Sequence, residues 1–226
     1  MKPTLPLILS FNGGYVDTAG FIALQGLFTA HVTGNFVTIG AALVFGTSGV
    51  VAKLLALPTF CIVVALSRIL GRTLAHRPHL RQHIVIGMQF VLLLAGCILA
   101  LRFGPFPNGD SASAIITGMV LVSGMAIQNA VHRVHLAAFP PTTLMTGNTT
   151  QLVIDAVDLV FYRADAMERA ASRQRLQRMA QAIVCFAAGC AAAALLYWTV
   201  KMWCFAVPPL LVAAALAVLP RGNAPP

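Results

Sequence analysis

The sequence predicts an all-α fold, a polytopic membrane helix bundle with six full spans plus two short (re-entrant or broken) helices. Three observations lead to this prediction. Of the 226 residues, 58% are hydrophobic and only 9% are charged, whereas about a quarter of the residues of a soluble domain are charged. The apolar residues form long blocks, as membrane spans do. The basic residues are concentrated in short hydrophilic segments between these blocks, which is typical of loops that orient helices in a bilayer.

The apolar blocks follow one another in the same order in each half of the chain. The first half, about 1–105, contains blocks at 6–30, 34–48, 50–71 and 84–103. The second half, about 106–226, contains blocks at 112–136 and 147–162 and the long run Met179–Leu219. A single span needs only about 20 residues, so the long run is divided near Lys201, where Trp198 and Trp203 indicate an interface. We expect one membrane domain, 1–226, made of these two halves.

The blocks 34–48 and 147–162 are short for spans, because about 15 helical residues cover only ~22 Å of a ~30 Å hydrocarbon core. Each begins with the same tripeptide, Thr33-Gly34-Asn35 in the first half and Thr146-Gly147-Asn148 in the second. Each tripeptide also follows a long block rich in glycine and polar residues. This common placement, half a chain length apart, predicts an internal duplication into two repeats.

The basic segments predict how the two repeats are oriented. One segment carries Arg68, Arg72, Arg77 and Arg81, and the other carries Arg163, Arg169, Arg173, Arg175 and Arg178. Basic loops lie on the cytoplasmic side. Both segments share that side only if the two short helices enter the membrane and return. Each half then has three spans, so the repeats are inverted and both termini are cytoplasmic. Tilted full spans are the alternative.

Two pairs of motifs resemble those of a known family. The stretches 14–21 (GYVDTAGF) and 28–35 (FTAHVTGN) resemble the opening signature of the YoaK-like family of uncharacterised bacterial membrane proteins. Gly124-Met125 with Gln128-Asn129, followed by 145–148 (MTGN), resembles its second motif, although Ala126-Ile127 departs from the pattern. The resemblance covers the whole chain. It implies a multi-pass protein of the bacterial cell (inner) membrane with about six helices and no established activity.

Asp17 is the first candidate for a functional residue, because it lies inside the block 6–30 among glycines. A carboxylate at the centre of a bilayer costs at least ~2.5 kcal/mol, so it needs a polar environment or a proton. Asp17 is therefore predicted to be a proton-coupling acid or a cation ligand. The alternative is a structural aspartate that hydrogen-bonds a neighbouring helix.

The two Thr-Gly-Asn motifs are the next candidates, because helix N-termini present unpaired N–H groups and the positive end of the helix dipole. If both short helices are re-entrant, these ends approach each other near the midplane and line a solute pathway. The alternative is that Thr33 and Thr146 cap ordinary helices. Gln128 and Asn129 are loosely equivalent to Asp17 and either line the same cavity or hold helices together.

His31 and Asp155 are secondary candidates. His31 precedes the first Thr-Gly-Asn motif and could titrate near neutral pH, but an interfacial histidine is the favoured interpretation. Asp155 lies three residues before Asp158, with Arg163 beyond, so a salt-bridged helix end is favoured over a cation site. No metal ligands are predicted, since Pro78 interrupts the helix that would align His76, His79 and His83.

These features favour a small-solute transporter or channel-like protein whose partners are the lipid bilayer and an unknown small solute or ion. The alternative is a non-transporting membrane scaffold or assembly subunit, and a membrane-embedded enzyme ranks third. Walker A, GxSxG, HExxH and dinucleotide-glycine motifs are absent from the sequence, so no enzyme and no cofactor are predicted. The net charge of +9 lies in loops, so no nucleic-acid partner is expected. A homo-oligomer is possible for so small a bundle.

Overall fold

The computed structural model describes residues 4–74, 76, 78–161 and 166–219. Within these residues the chain is helical and contains no strand. Short 3₁₀ turns at Val32–Gly34 and Lys201–Ala206 precede the second and the last helix. In chain order the helices are α1 Thr4–Ala23, α2 Asn35–Phe45, α3 Val50–Thr73, α4 Pro78–Phe103, α5 Ala112–His135, α6 Met145–Phe161, α7 Ala166–Val200 and α8 Val207–Val218.

Among the described residues, four helical stretches are long and apolar enough to cross a membrane, judged by length and composition: Val50–Thr73, Leu80–Phe103, Ala112–His135 and Met167–Val218. The last contains 52 residues and combines α7 with α8. Large apolar side chains are also exposed on the outside of the bundle, for example Val44 and Trp198. Such a surface is unfavourable in water. The all-helical class is confirmed, and the apolar helices are consistent with a membrane protein, whereas the number of six full spans stays a prediction.

Three of the predicted boundaries differ from the structure. The block 6–30 does not form one helix, because α1 ends at Ala23 and the chain turns at Gln25 and Gly26, which both have positive φ. The block 34–48 ends early, at Phe45, where Gly46 adopts the left-handed conformation that closes a helix. The charged segment 163–178 is not a separate loop in its described part, since good helix formers make it the start of α7.

Helix packing relates the two halves of the chain. Helix α1 packs along α7, and α5 packs along α3. Likewise α1 contacts α8, α5 contacts α4, and each short helix lies against the long helix that follows it. Helices α1 and α5 run antiparallel, because Asn12 hydrogen-bonds Gln128 whereas Leu24, beyond the end of α1, lies near Gly118.

Asp110, in the connection between the halves, holds the N-terminus of α3. Its carboxylate accepts hydrogen bonds from the backbone N–H groups of Gly49 (2.8 Å), Val51 (2.8 Å) and Ala52 (3.3 Å). Burial raises the pKa of Asp110, but these backbone hydrogen bonds together hold the pKa below its ordinary value. The start of α5 is thereby fixed beside the start of α3. These two helices run parallel, since their C-terminal ends also line one cleft.

The closest helix crossing is that of α1 and α7, and glycines on both helices permit it. A Cβ on Gly14 would collide with the carbonyl oxygen of Phe186, and a Cβ on Gly189 would collide with that of Phe11. In a membrane, small residues allow backbones to approach and so replace the missing hydrophobic drive for association. The contact between α1 and α7 therefore depends on glycine at both positions.

We predict that Gly189→Ala lowers the stability of the detergent-solubilised protein by about 1–3 kcal/mol, because the added methyl group forces two backbones apart. Gly87→Ala in α4 is the matched control, since a Cβ there meets no atom within 4 Å and alanine is the better helix former. Thermal unfolding of the two variants measures the difference. Equal melting temperatures for Gly189→Ala and Gly87→Ala would contradict the predicted crossing.

Candidate functional site

Asp17 lies on the last turns of α1 and is 4% exposed. Its Oδ1 accepts hydrogen bonds from the backbone N–H groups of Thr29 and Ala30, each at 2.8 Å, and from the Thr29 hydroxyl at 3.3 Å. The chain beyond α1 therefore folds back along that helix as far as Asp17. Six residues of helix separate Asp17 from the end of α1, so the loop returns about 9 Å along the helix axis.

His31 provides the remaining contact of the carboxylate. Its Nδ1 lies 2.6 Å from Oδ2 of Asp17, a distance typical of a charge-assisted hydrogen bond. The His31 side chain is 31% exposed, whereas that of Asp17 is 6% exposed. A buried carboxylate is thus joined to an imidazole that reaches the protein surface. Such a pair can take up or release a proton without full exposure of the acid.

The first Thr-Gly-Asn motif closes this loop and does not cap the helix. The Asn35 side chain accepts a hydrogen bond from the N–H of Phe28 and donates one to its carbonyl oxygen, both at 2.9 Å. A Cβ on Gly34 would lie 3.0 Å from the Phe28 ring, so glycine keeps this approach open. Thr33 is exposed, and the N-cap position of α2 is occupied by Gly34, which has no side chain to cap the helix. The N-cap interpretation of Thr33 is therefore wrong.

A cleft of about 490 Å³ lies beside the Asp17–His31 pair. We call it the acidic cleft. Its walls combine aromatic and small side chains with a few polar groups. It is lined by Asp17, Thr18, Phe21, Phe28, His31, Thr33, Gly34, Phe186 and Cys190. An apolar cleft with a few convergent polar groups is the usual form of a small-molecule site.

The second half of the chain repeats the folded-back loop with different chemistry. The Thr143 hydroxyl donates a 2.7 Å hydrogen bond to Oδ1 of Asn129. These residues are 14 apart in sequence, as are Asp17 and His31. Asn129 thus takes the place of the carboxylate, and Thr143 takes the place of the imidazole. This pair carries no charge and cannot titrate near neutral pH.

The second Thr-Gly-Asn motif also closes its loop, as the first motif does. The Asn148 side chain donates a 2.9 Å hydrogen bond to the carbonyl oxygen of Pro141. Pro141 lies seven residues before Asn148, which is the same separation as between Phe28 and Asn35. Asn148 is buried, whereas Thr146 and Gly147 are exposed on the first turn of α6. Thr146 is within α6, which begins at Met145, and is therefore not its cap.

Asn129 lines a second cleft, of about 400 Å³, between α3 and α5. We call it the basic cleft, because arginines lie on its rim. It is lined by Phe60, Val64, Ser67, Arg68, Gly71, Val85, Asn129, Ala130, Val131, Arg133, Val134, His135 and Leu144. Phe60 and Val64 on α3 have the same spacing as Phe186 and Cys190 on α7, so the two clefts have corresponding walls.

A fully buried polar cluster lies between the two folded-back loops. Oε1 of Gln128 accepts hydrogen bonds from the amides of Asn12 (2.8 Å) and Gln89 (2.9 Å). Its amide nitrogen donates to the Leu9 carbonyl at 2.7 Å and to the Thr142 hydroxyl at 3.2 Å. We call this arrangement the central amide cluster. It joins α1, α4, α5 and the second loop.

The central amide cluster is not fully satisfied by protein groups. The side-chain oxygens of Ser10, Asn12 and Gln89 have no hydrogen-bond partner among the described residues. All three side chains are 0% exposed. Unpaired buried polar atoms are unfavourable, so these oxygens are suited to accept hydrogen bonds from water or a small polar solute.

The structure separates the candidate residues that the sequence brought together. Asp17, His31, Thr33 and Gly34 line the acidic cleft, and Asn129 lines the basic cleft. Gln128 belongs to the central amide cluster between them. The residues Asn35, Asn148, Thr146 and Gly147 line neither cleft, and α2 packs on α3 whereas α6 packs on α7.

Asp155 has a structural role in this arrangement. It is 2% exposed and accepts hydrogen bonds from Arg175 at 3.3 Å and from Gln151 at 3.0 Å. This ion pair holds α6 against α7, as the salt-bridge interpretation expected, although Arg175 is the partner. Arg163 is outside the described residues. Among the residues that are described, no group of three or more His, Cys, Asp or Glu could hold a metal ion.

A protein-family model matches nearly the whole chain. The model described as Protein of unknown function (DUF1275) matches residues 5–218. The chain belongs to the DUF1275 family. No curated protein and no solved structure is significantly similar to it. The YoaK-like resemblance fits DUF1275, whose match extends over nearly all of α1 to α8.

Sequence reasoning missed several residues of this DUF1275 protein. Asn12 and Gln89 belong to the central amide cluster, and Phe186 and Cys190 form a wall of the acidic cleft. A polar amide within an apolar block was a usable signal for Asn12 and Gln89, since such residues need a partner in the membrane. Phe186 and Cys190 gave no signal, because they resemble any apolar helix surface.

We predict that Asn35→Ala opens the first loop of this DUF1275 protein, since Phe28 loses a donor and an acceptor at a cost of about 1–3 kcal/mol. Hydrogen exchange followed by mass spectrometry is expected to be faster over residues 24–34. Thr33→Ala is the control, because Thr33 is exposed and makes no side-chain hydrogen bond in the described part of the chain. Unchanged exchange in Asn35→Ala would rule out this role for Asn35.

Proposed function

We propose that this DUF1275 protein is a small-solute transporter in which the Asp17–His31 pair binds the coupling proton. The observation that carries the proposal is the contact of a 4%-exposed carboxylate with an imidazole at the wall of an open cleft. A purely structural aspartate would be satisfied by the two backbone N–H groups and the hydroxyl already on Oδ1. The second carboxylate oxygen, Oδ2, instead contacts the imidazole of His31, a type of side chain that titrates near neutral pH.

Two inverted repeats are part of the proposal. The equivalent spacings of the Asp17–His31 and Asn129–Thr143 contacts, and of the two asparagine–carbonyl contacts, support a duplication. The antiparallel course of α1 and α5 supports inversion of one repeat relative to the other. Transporters of this architecture bind their solute near the midplane, between the repeats, at the ends of broken helices.

The proposed topology has six spans, formed by α1, α3, α4, α5, α7 and α8. The loops before α2 and α6 return along α1 and α5, so the two short helices are re-entrant and each starts inside the bilayer. Both termini and both arginine-rich segments then lie on the cytoplasmic side, in agreement with the distribution of basic residues. For a bacterial protein the membrane is the inner membrane.

The solute pathway runs from the acidic cleft past the central amide cluster toward the side of the bundle on which Asn129 lies. Asp17 is five residues from Asn12 along α1, or about 7 Å along the helix axis. Asn129 directly follows Gln128 in α5. Because α1 and α5 are antiparallel, Asp17 and Asn129 lie on opposite sides of the cluster. The unpaired oxygens of the cluster supply polar contacts at the narrowest part of this route.

The proton has a defined place in this scheme. In this scheme His31 binds the proton beside the Asp17 side chain and returns it to the cleft when the solute is released. Each turnover therefore moves one proton between the cleft and the His31 ring, and no covalent bond of the solute is broken. The pair acts only as a proton site, so the change of access must come from the movement of helices.

The proposed topology predicts opposite accessibility for two surface positions. In a variant without the five native cysteines, Thr47→Cys is expected to react with a membrane-impermeant maleimide in intact cells. Ala171→Cys is expected to react only after the membrane is permeabilised. Both positions are exposed. Labelling of both cysteines in intact cells, or of neither, would contradict the six-span arrangement.

The transport proposal predicts a proton flux that requires Asp17. Proteoliposomes with trapped pyranine and a potassium diffusion potential report proton entry, with and without an external mixture of amino acids, sugars and short-chain carboxylates. We expect the mixture to accelerate proton entry in the wild type. Asp17→Asn should reduce the rate at least about tenfold, to that of protein-free vesicles, because an amide cannot stabilise the imidazolium.

Asp158→Asn is the matched control, since it neutralises an exposed carboxylate on α6 and should transport like the wild type. His31→Gln keeps a hydrogen-bonding side chain but cannot titrate, and it should lose proton coupling while the protein remains folded. Wild-type proton entry in Asp17→Asn would remove Asp17 from the mechanism. No flux in the wild type, together with a stable co-purifying protein, would favour the scaffold function instead.

A further inference from the structure

The basic cleft has a charged rim that the transport proposal does not use. Arg68 and Arg133 line it from α3 and α5, and both side chains are exposed. Neither guanidinium has a hydrogen bond or an ion pair within the described part of the chain. None of the lining residues is acidic. The rim therefore presents positive charge that none of the described side chains neutralises.

A third arginine lies behind this rim. The Arg81 guanidinium donates to the Gly71 carbonyl at 3.3 Å and to Nδ1 of His135 at 3.5 Å. Its Nε is buried and has no partner among the described residues. Gly71 and His135 themselves line the cleft. These contacts fix the positive charge of Arg81 close to the cleft and link the start of α4 to the ends of α3 and α5.

The inner wall of the basic cleft is apolar. Phe60, Val64, Val85, Val134 and Leu144 form most of it. The adjoining surface of α3 is also apolar, and Ile62, Leu66 and Ile69 are each about 60% exposed, in keeping with contact to acyl chains. The wall therefore continues into the lipid-facing surface of the bundle. A molecule in the cleft meets hydrocarbon on one side and arginine on the other.

We propose that the basic cleft binds one anionic phospholipid of the surrounding bilayer. The phosphate is held by Arg68 and Arg133, and one acyl chain lies along Phe60, Val64 and Val134. The position of the cleft supports this occupant, because Arg68 and Arg133 lie within the last turns of α3 and α5, and the ends of spanning helices are where headgroups are met. Basic pockets between membrane helices bind anionic headgroups in this way.

The acidic cleft provides an internal comparison. Its lining includes no lysine or arginine, and its histidine, His31, is paired with Asp17, so an anionic headgroup would meet a carboxylate there. The two clefts have corresponding walls, yet only the basic cleft has the charge that selects an anionic lipid. Lipid binding at the basic cleft is independent of whether the protein transports a solute.

Native mass spectrometry of the purified full-length protein tests the proposal. The probes are dioleoyl phosphatidylglycerol, dioleoyl phosphatidylcholine and inorganic phosphate, each titrated separately. We expect one phosphatidylglycerol to bind at least about tenfold more tightly than phosphatidylcholine. In the double variant Arg68→Gln/Arg133→Gln this preference should disappear, because each basic residue near a headgroup is worth about 1 kcal/mol, or about fivefold in affinity.

The double variant Arg169→Gln/Arg173→Gln is the matched control, since it removes the same charge from exposed positions on α7 and should keep the preference. Val134→Trp fills the cleft without changing its charge and should also weaken binding of phosphatidylglycerol. Three results would overturn the proposal. They are equal binding of the two lipids, equal loss in both double variants, and millimolar inorganic phosphate that displaces the lipid completely, which would indicate a site for free anions.

Discussion

The structure depends on how Asp17 is accommodated inside an apolar bundle. A carboxylate that is 4% exposed needs hydrogen bonds or a counter-charge, because transfer of an unpaired ion from water is prohibitively unfavourable. Thr29, Ala30 and His31 supply both requirements. To do so, the chain must turn at Gln25 and return along α1. The position of the loop, the depth at which α2 begins and the shape of the acidic cleft all follow from this one requirement.

The second half solves the same geometric problem without a charge. Asn129 and Thr143 form a contact with the same sequence separation as Asp17 and His31, so the folded-back loop persists although the acid and the base are gone. The wall positions correspond as well, but the rim of this cleft carries arginine. A common backbone frame thus supports two clefts of opposite electrostatic character. Such divergence is consistent with one half binding a proton and the other half binding an anionic headgroup.

Between the clefts, helix packing relies on the two kinds of contact that stabilise helix association in a membrane, close backbone approach at small residues and hydrogen bonds between polar side chains. Glycines at 14 and 189 let α1 and α7 touch backbone to backbone, and buried amides join α1, α4 and α5. Neither kind of contact depends on the expulsion of water, so both stabilise helix packing where lipid tails are as apolar as the side chains. The amide oxygens of Asn12 and Gln89 and the hydroxyl oxygen of Ser10 are left unpaired within the described residues. The same buried amides therefore hold the helices together and place unpaired polar atoms at the centre of the bundle.

The sequence by itself determined the membrane-type composition, most helix positions and the need of Asp17 for polar partners, because each depends on local composition or on the free energy of placing one charge in lipid. The repeated Thr-Gly-Asn motif was also visible, but its meaning was not. Only the tertiary structure decided that the asparagines close loops, that Thr33 caps nothing, and that Asp17 and Asn129 belong to different clefts. These outcomes depend on the turn at Gln25 and on the antiparallel approach of α1 and α5. Hydrophobic periodicity carries no information about how distant segments meet, so no reading of local pattern could have placed those side chains.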